Sequence, residues 1–139
     1  MKRILLLLAA GGLGALLIYI ASLVVQRPHK DVNATLTEVT TAANRDLPKM
    51  LDSETEVTST VALNHMLQYN YRLVRLDASS ADRDALTATF QRQIRDNGCT
   101  SPVLRDKLLR KGITVRFAYY DSSYQALFSI DLEPKHCGL

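Results

Sequence analysis

The chain has 139 residues, 47% of them hydrophobic, with two cysteines and no tryptophan, which is about one domain's worth of sequence. Its net charge of +3 is a local matter: setting aside Lys2 and Arg3 leaves 15 Lys and Arg against 14 Asp and Glu. A body so nearly neutral gives no electrostatic reason to expect a nucleic-acid partner.

Behind Met1-Lys2-Arg3, residues 4–25 read ILLLLAAGGLGALLIYIASLVV, 22 residues without a charge. As a helix they would extend about 33 Å, enough to cross a hydrocarbon core of about 30 Å. A cleaved signal peptide has an apolar region of only about 7–15 residues before a small-x-small site. Here the run is longer, YIASLVVQRP offers no good site, and no cysteine stands there to take a lipid. Residues 1–25 therefore read as an uncleaved signal anchor, a single-pass transmembrane helix. Lys2 and Arg3 outweigh Arg27 and Lys30, the latter offset by Asp31, so the N-terminus stays inside and the rest lies outside the cytoplasm. The location expected is the inner membrane of a bacterial cell with the C-terminal domain in the periplasm. Within the anchor Gly11 and Gly14, with Ala10 and Ala15, place small residues four apart, a spacing that permits helix association.

Residues 26–33, QRPHKDVN, form a short polar tether, and residues 34–139 form the domain. Asn33 is placed to cap the helix that follows, whose apolar stripe is Leu36, Val39, Ala43, Leu47 and Met50 or Leu51. Pro48 ends or kinks it. The period then changes to two: after a β-branched run at 55–61 and a turn near 62–65, Leu67, Tyr69, Tyr71 and Leu73 alternate with Gln68, Asn70 and Arg72, which makes a half-buried strand over 66–76. Ser80 opens a second helix with acids in its first turn, striped by Leu86, Phe90 and Ile94, and Gly98 closes it. Ser101-Pro102 starts a third helix that Gly112 ends. Two alternating runs follow, Ile113 to Tyr119 and Tyr124 to Leu132, about a turn at 121–123. The order α-ββ-αα-ββ predicts an α+β two-layer domain with an antiparallel sheet.

Cys99 and Cys137 both fall at element ends in this reading, just after the second helix and just after the last strand. An even cysteine count in a small domain outside the cytoplasm points to a disulfide, and closing a loop of that size is worth about 4 kcal/mol in the chain-entropy view. The competing readings are weaker. A Cys–His nucleophile would pair Cys99 with His65 or His136 without a supporting motif, and no metal-binding spacing is present. Asp52, Glu54 and Glu56 would share one face of an extended chain. They would serve acid/base work, a hard cation or a solvated strand edge. Across residues 82–116, Arg83, Arg92, Arg95, Arg105, Lys107, Arg110, Lys111 and Arg116 oppose four Asp, and they would face solvent, anionic lipid or an acidic partner.

LPKMLDSETEV, LQYNYRLV, a cysteine after a helix, LLRKGITVRFAYYD and a final cysteine together resemble small membrane-anchored bacterial α/β proteins of uncharacterised function. In that pattern Leu-Pro-x-x-Leu/Val-Asp precedes the tyrosine strand, and the likeness spans residues 47–137. The resemblance implies an envelope location and a compact α/β domain, and it assigns no catalytic residue. It departs at VALNHM, residues 61–66, where a glycine-bearing turn is expected. The function expected is a non-enzymatic binding or envelope-assembly module with an envelope protein as partner and no cofactor or metal. The alternative is a small hydrolase or cation-dependent enzyme using Asp52, Glu54 and Glu56 near His65.

Overall fold

The computed structural model describes residues 31–139. The anchor expected over 1–25, its Gly11/Gly14 spacing and most of the tether lie outside the described residues. Among the described residues no helix is long and apolar enough to cross a membrane.

Helix α1, Val32–Ala43, begins two residues earlier than expected. Its buried stripe is Leu36 and Thr40, while Val39 is 42% exposed. Asn33 is no cap: it sits inside the helix, where its Oδ1 accepts from the His65 amide at 2.9 Å. The helix also stops before Leu47, Met50 and Leu51. At its end Asn44 turns toward the sheet, accepting from the Thr60 amide at 2.7 Å and donating to the Thr60 carbonyl at 2.8 Å. An amide side chain there stands in for the missing neighbouring strand and satisfies a sheet edge.

Five strands form one sheet in the order β1 (Lys49–Met50), β2 (Thr55–Leu63), β3 (Met66–Leu73), β4 (Thr114–Tyr120) and β5 (Ala126–Leu132). The departure at VALNHM is accommodated without glycine: Asn64 and His65 make a two-residue turn, His65 at φ 52°, between Leu63 and its partner Met66. The sheet is mixed, which corrects the antiparallel expectation. Strand β3 runs parallel to β4, Met66 beside Thr114 and Tyr71 beside Tyr119. The reason lies in the connection, since the chain leaves β3, crosses the sheet in a long helix and re-enters at the end where β3 began. That is the route a parallel pair requires.

The crossing helix is α2, Arg83–Thr100, capped by Asp82, whose Oδ1 accepts from the Ala85 amide at 3.0 Å. Ser80 instead belongs to the preceding turn, donating to the Asp77 carbonyl. Gly98 and Cys99 lie within the last turn of α2, not after it. Pro102 is what stops the helix, because it holds Ser101 extended at φ −70°, ψ 119°. Gly98 has a packing role: a Cβ at that position would run into Leu132 Cδ2 of β5. The expected third helix is a wide-wound π turn, Val103–Leu108, tightening to a 3-10 turn, Leu109–Lys111, and Gly112 ends it at φ 76°.

Both helices cover one face of the sheet. Leu67, Tyr69, Tyr71, Leu73, Val115, Phe117 and Tyr119 point into it, with Leu36 of α1 and with Phe90 and Ile94 of α2. On β5 the expected alternation holds for Phe128, Ile130 and Leu132 and breaks before them. Tyr119 pairs with Phe128 but Tyr120 with Ala126, leaving Leu127 as an extra residue. An extra residue shifts the phase of the strand. Leu127 is accordingly buried, Ala126 is exposed, and Tyr124 stands out in the loop, 59% exposed. The opposite face is uncovered by any described helix and carries three cross-strand rows: Arg72–Tyr120–Ala126, Asn70–Ala118–Ser129 and Gln68–Arg116–Asp131.

The loop between β4 and β5 is tied down by Asp121, which is only 2% exposed. Its carboxylate accepts from the amides of Gln125 (2.8 Å), Ala78 (3.0 Å) and Ser123 (2.8 Å). The Gln125 amide, helped by those of Ala78 and Ser123, holds its pKa below the usual carboxylate range against the opposing effect of burial. A depressed folded-state pKa means stability present above the unfolded value of about 3.9 and lost as pH falls through the folded value.

Two outcomes follow from this packing. Gly98→Ala should destabilise by about 1–3 kcal/mol in denaturant unfolding because of the Leu132 overlap, whereas helix propensity alone would stabilise by up to about 1 kcal/mol; the sign decides. The Tm advantage of wild type over Asp121→Asn should be full at neutral pH and shrink below about pH 4.

Candidate binding groove

The expected disulfide is present. Cys99 and Cys137 are joined with Cα atoms 5.2 Å apart, across a sequence separation of 38. It ties the last turn of α2 to the 3-10 turn Pro134–Cys137 that follows β5. Neither histidine forms a nucleophile with Cys99. The His136 ring caps that C-terminal turn, its Nδ1 accepting from the Glu133 amide at 3.1 Å. His65 sits in the β2–β3 turn.

The three acids do not converge. Asp52 lies in the β1–β2 loop and accepts from the amides of Glu54 and Thr55, each at 2.7 Å. Those two bonds lower its pKa. Glu54 approaches Arg75 at 3.9 Å on the surface, and Glu56 binds Arg72 at 2.8 Å on the uncovered face. His65 is in the turn beyond the other end of β2, whose last residue, Leu63, is roughly 23 Å along the strand from Glu56 at about 3.3 Å per residue. Among the described residues no three His, Cys, Asp or Glu side chains come together as a metal site would need.

The basic residues of 82–116 are dispersed as well. Arg116 forms a bidentate pair with Asp131 at 2.7 and 2.8 Å on the uncovered face. Arg110 binds Asp106 one helical turn away at 2.9 Å, and Arg105 donates to the Cys99 carbonyl at 3.4 Å. Arg116 is on β4 and Arg105 and Arg110 are on the turns after α2, while Arg92 and Arg95 together line a separate cavity along α2.

What the fold does assemble is a groove of about 490 Å³ on the helix-bearing side. Its floor is made by Tyr71 and Tyr119, ring centroids 5.1 Å apart, and by Phe117, 6.3 Å from Tyr71. One wall is α2, with Phe90, Ile94 and the bare backbone at Gly98, and the Phe90 ring stands 4.8 Å from that of Tyr119. Across from it the β1–β2 loop contributes Leu51 and Asp52, and the start of β2 contributes Thr55. Leu51 is 57% exposed, an apolar side chain left at the lip. The polar groups along the α2 side are the neutral amides Gln93 and Asn97.

The floor is uncharged. Burial raises the hydroxyl pKa of Tyr71 well beyond its ordinary value, and pushes that of Tyr119 up to about 12. Both rings therefore remain neutral phenols at any physiological pH. An open apolar trough with neutral amides along one side suits an apolar segment that brings a few hydrogen-bonding groups. The tyrosine alternation was visible in the sequence. The groove was not, because its walls come from α2 and from a loop whose packing no local pattern specifies.

No family model matches the chain, and no curated protein matches it either. Solved structures do share the fold. One is a protein from Pseudomonas aeruginosa described as secreted, 13% identical, covering 76% of this chain and 91% of its own, with a TM-score of 0.66. Another is the pilotin EpsS of the Vibrio vulnificus type 2 secretion system, 12% identical, covering 76% of this chain and 90% of its own, with a TM-score of 0.60. At such identities the likeness is one of fold: a small disulfide-linked α+β domain whose architecture is shared with these two proteins.

Proposed function

We propose that this domain is a non-enzymatic docking module of the bacterial envelope, held at the inner membrane by residues 1–25 and facing the periplasm. It binds an apolar segment of an envelope protein in the groove between α2 and the β1–β2 loop. The observation that carries the reading is the groove itself: an open trough floored by the stacked rings of Tyr71, Phe117 and Tyr119. Aromatic side chains in a pocket are the usual anchors of an interface, supplying large contact area at low entropic cost.

Three further points support it. The Cys99–Cys137 bond suits an oxidising compartment. The fold is also that of a pilotin, a component of a secretion machine. The acids an enzyme would use are each engaged locally, Asp52 with backbone amides and Glu56 with Arg72.

The test is site-specific photocrosslinking in cells from Gln93, with Lys111 as a control position outside the groove. A discrete adduct with one envelope protein should form from Gln93 only. Asn97→Lys, which would bury a charge on docking, should reduce it about tenfold or more, while Tm changes little because Asn97 is exposed. Equal adducts from both positions, or an adduct indifferent to Asn97→Lys, would sink the reading.

A further inference from the structure

Alternation along β2 and β3 makes most of their uncovered face polar, with Glu56 opposite Arg72 and Ser59 opposite Asn70. Beside the Asn64–His65 turn that pattern fails. Val61 stands opposite Gln68 and Leu63 opposite Met66, so three apolar side chains share this corner of the uncovered face. Val61 is 39% and Leu63 43% exposed, and Met66 is half-buried. Apolar residues scattered singly over a surface are ordinary, whereas a group of them rimmed by polar side chains marks a contact with something apolar.

The chain enters the domain at this same corner. Asn33, in the first turn of α1, donates to Asn64 Oδ1 at 3.1 Å and accepts from the His65 amide at 2.9 Å. Only residues 26–31 separate Val32 from the apolar run 4–25. Fully extended, that segment carries the chain roughly 25 Å from Val25 to Val32, at about 3.6 Å per residue. A domain of about 100 residues is roughly 30 Å or more across, and the headgroup layer takes up part of the reach. With residues 1–25 in the bilayer, the far end of the sheet cannot be turned down to it. The end at the Asn64–His65 turn can, and Val61, Leu63 and Met66 are on that end. Charge there suits a surface carrying anionic lipid. The carboxylates at this end of β5, Asp131 and Glu133, are paired with Arg116 and Lys135. Lys111 is exposed three residues before Thr114, whose amide donates to the His65 carbonyl. Arg27 and Lys30 stand in the connecting segment with one acid, Asp31. Cations this close to an anionic surface are drawn to it.

We propose, on the reading that residues 1–25 span the membrane, that Val61, Leu63 and Met66 form a lipid-contact patch. It seats this corner of the domain in the headgroup–acyl boundary of the leaflet from which the chain emerges. The groove, on the opposite face of the sheet, is then held away from the bilayer and open to a partner in the aqueous space.

The chain has no tryptophan, so one introduced at Leu63 reports alone. The test uses the full chain carrying Leu63→Trp in phosphatidylcholine–phosphatidylglycerol vesicles, with and without bromine on the acyl chains; a carbonate-washed aliquot is floated in a density gradient. A side chain about 5–10 Å into the boundary should emit blue-shifted and lose most of its emission to the brominated lipid. Ser123→Trp, exposed in the loop beyond the opposite end of β4, should keep its emission. Adding Val61→Glu to Leu63→Trp should restore most of the lost emission while Tm changes little, because Val61 is exposed. A chain that floats with Leu63→Trp unquenched would overturn the patch and leave the anchor standing. Loss of the chain from the floated vesicles would overturn both. Equal quenching at Leu63 and Ser123, or quenching indifferent to Val61→Glu, would also sink the patch. So would a blue-shifted emission that bromine leaves intact, since the patch would then face another protein or a second copy of the chain. The adduct from Gln93 reads the groove separately.

Discussion

The close approach of α2 to β5 at Gly98 is the constraint on which the rest of this domain depends. With no side chain at that position, the helix backbone comes down onto Leu132. The next residue, Cys99, is then within reach of Cys137 beyond the end of β5. Packing and covalent link act at one place, one demanding the smallest residue and the other holding the helix end against the strand it touches. From this point α2 extends back over the sheet, bringing Ile94 and Phe90 above the aromatic rings.

The aromatic ladder is the second organising element, and it depends on the parallel pairing of β3 with β4. That pairing puts Tyr69 and Tyr71 beside Phe117 and Tyr119, with centroid separations of 5.1–6.3 Å. Antiparallel pairing would bring together a different set of rings. The stacked array buries large apolar area: Phe117 and Tyr119 lie in the core, and the partly buried Tyr71 beside them borders the groove between α2 and the β1–β2 loop.

The two faces of the sheet divide the chemistry. Apolar and aromatic residues collect on the covered side. The other side carries paired charges, Arg72 with Glu56 and Arg116 with Asp131, and a hydrogen-bonded run from Gln68 through Asn70 to Ser59. Alternation along β3 and β4 produces both surfaces from the same strands. The extra residue Leu127 adjusts this on β5: it turns one more apolar side chain inward and frees Ala126 and Ser129 to leave the uncovered face shallow.

Strands β2 to β5, the tyrosine face, the end at Gly112 and the cysteine pair were legible in the sequence, because each rests on a local rule; β1 and the stop of α2 at Pro102 were not. Period-two alternation marks a strand whatever it pairs with, and two cysteines in a small domain have few partners to choose from. The apolar run 4–25 is of the same kind, a matter of composition and length. Tertiary structure alone decided the parallel pairing of β3 and β4, the placement of Gly98 inside α2, and the use of Asn33 and Asn44 to fasten α1 to the sheet. It also separated Asp52, Glu54 and Glu56 from His65. In each instance the deciding contact joins residues distant in the chain, and spacing along a sequence carries no information about which distant backbone will arrive. The groove belongs to this second class, since its floor was written in alternation but its walls exist only once α2 has crossed the sheet and met Leu132.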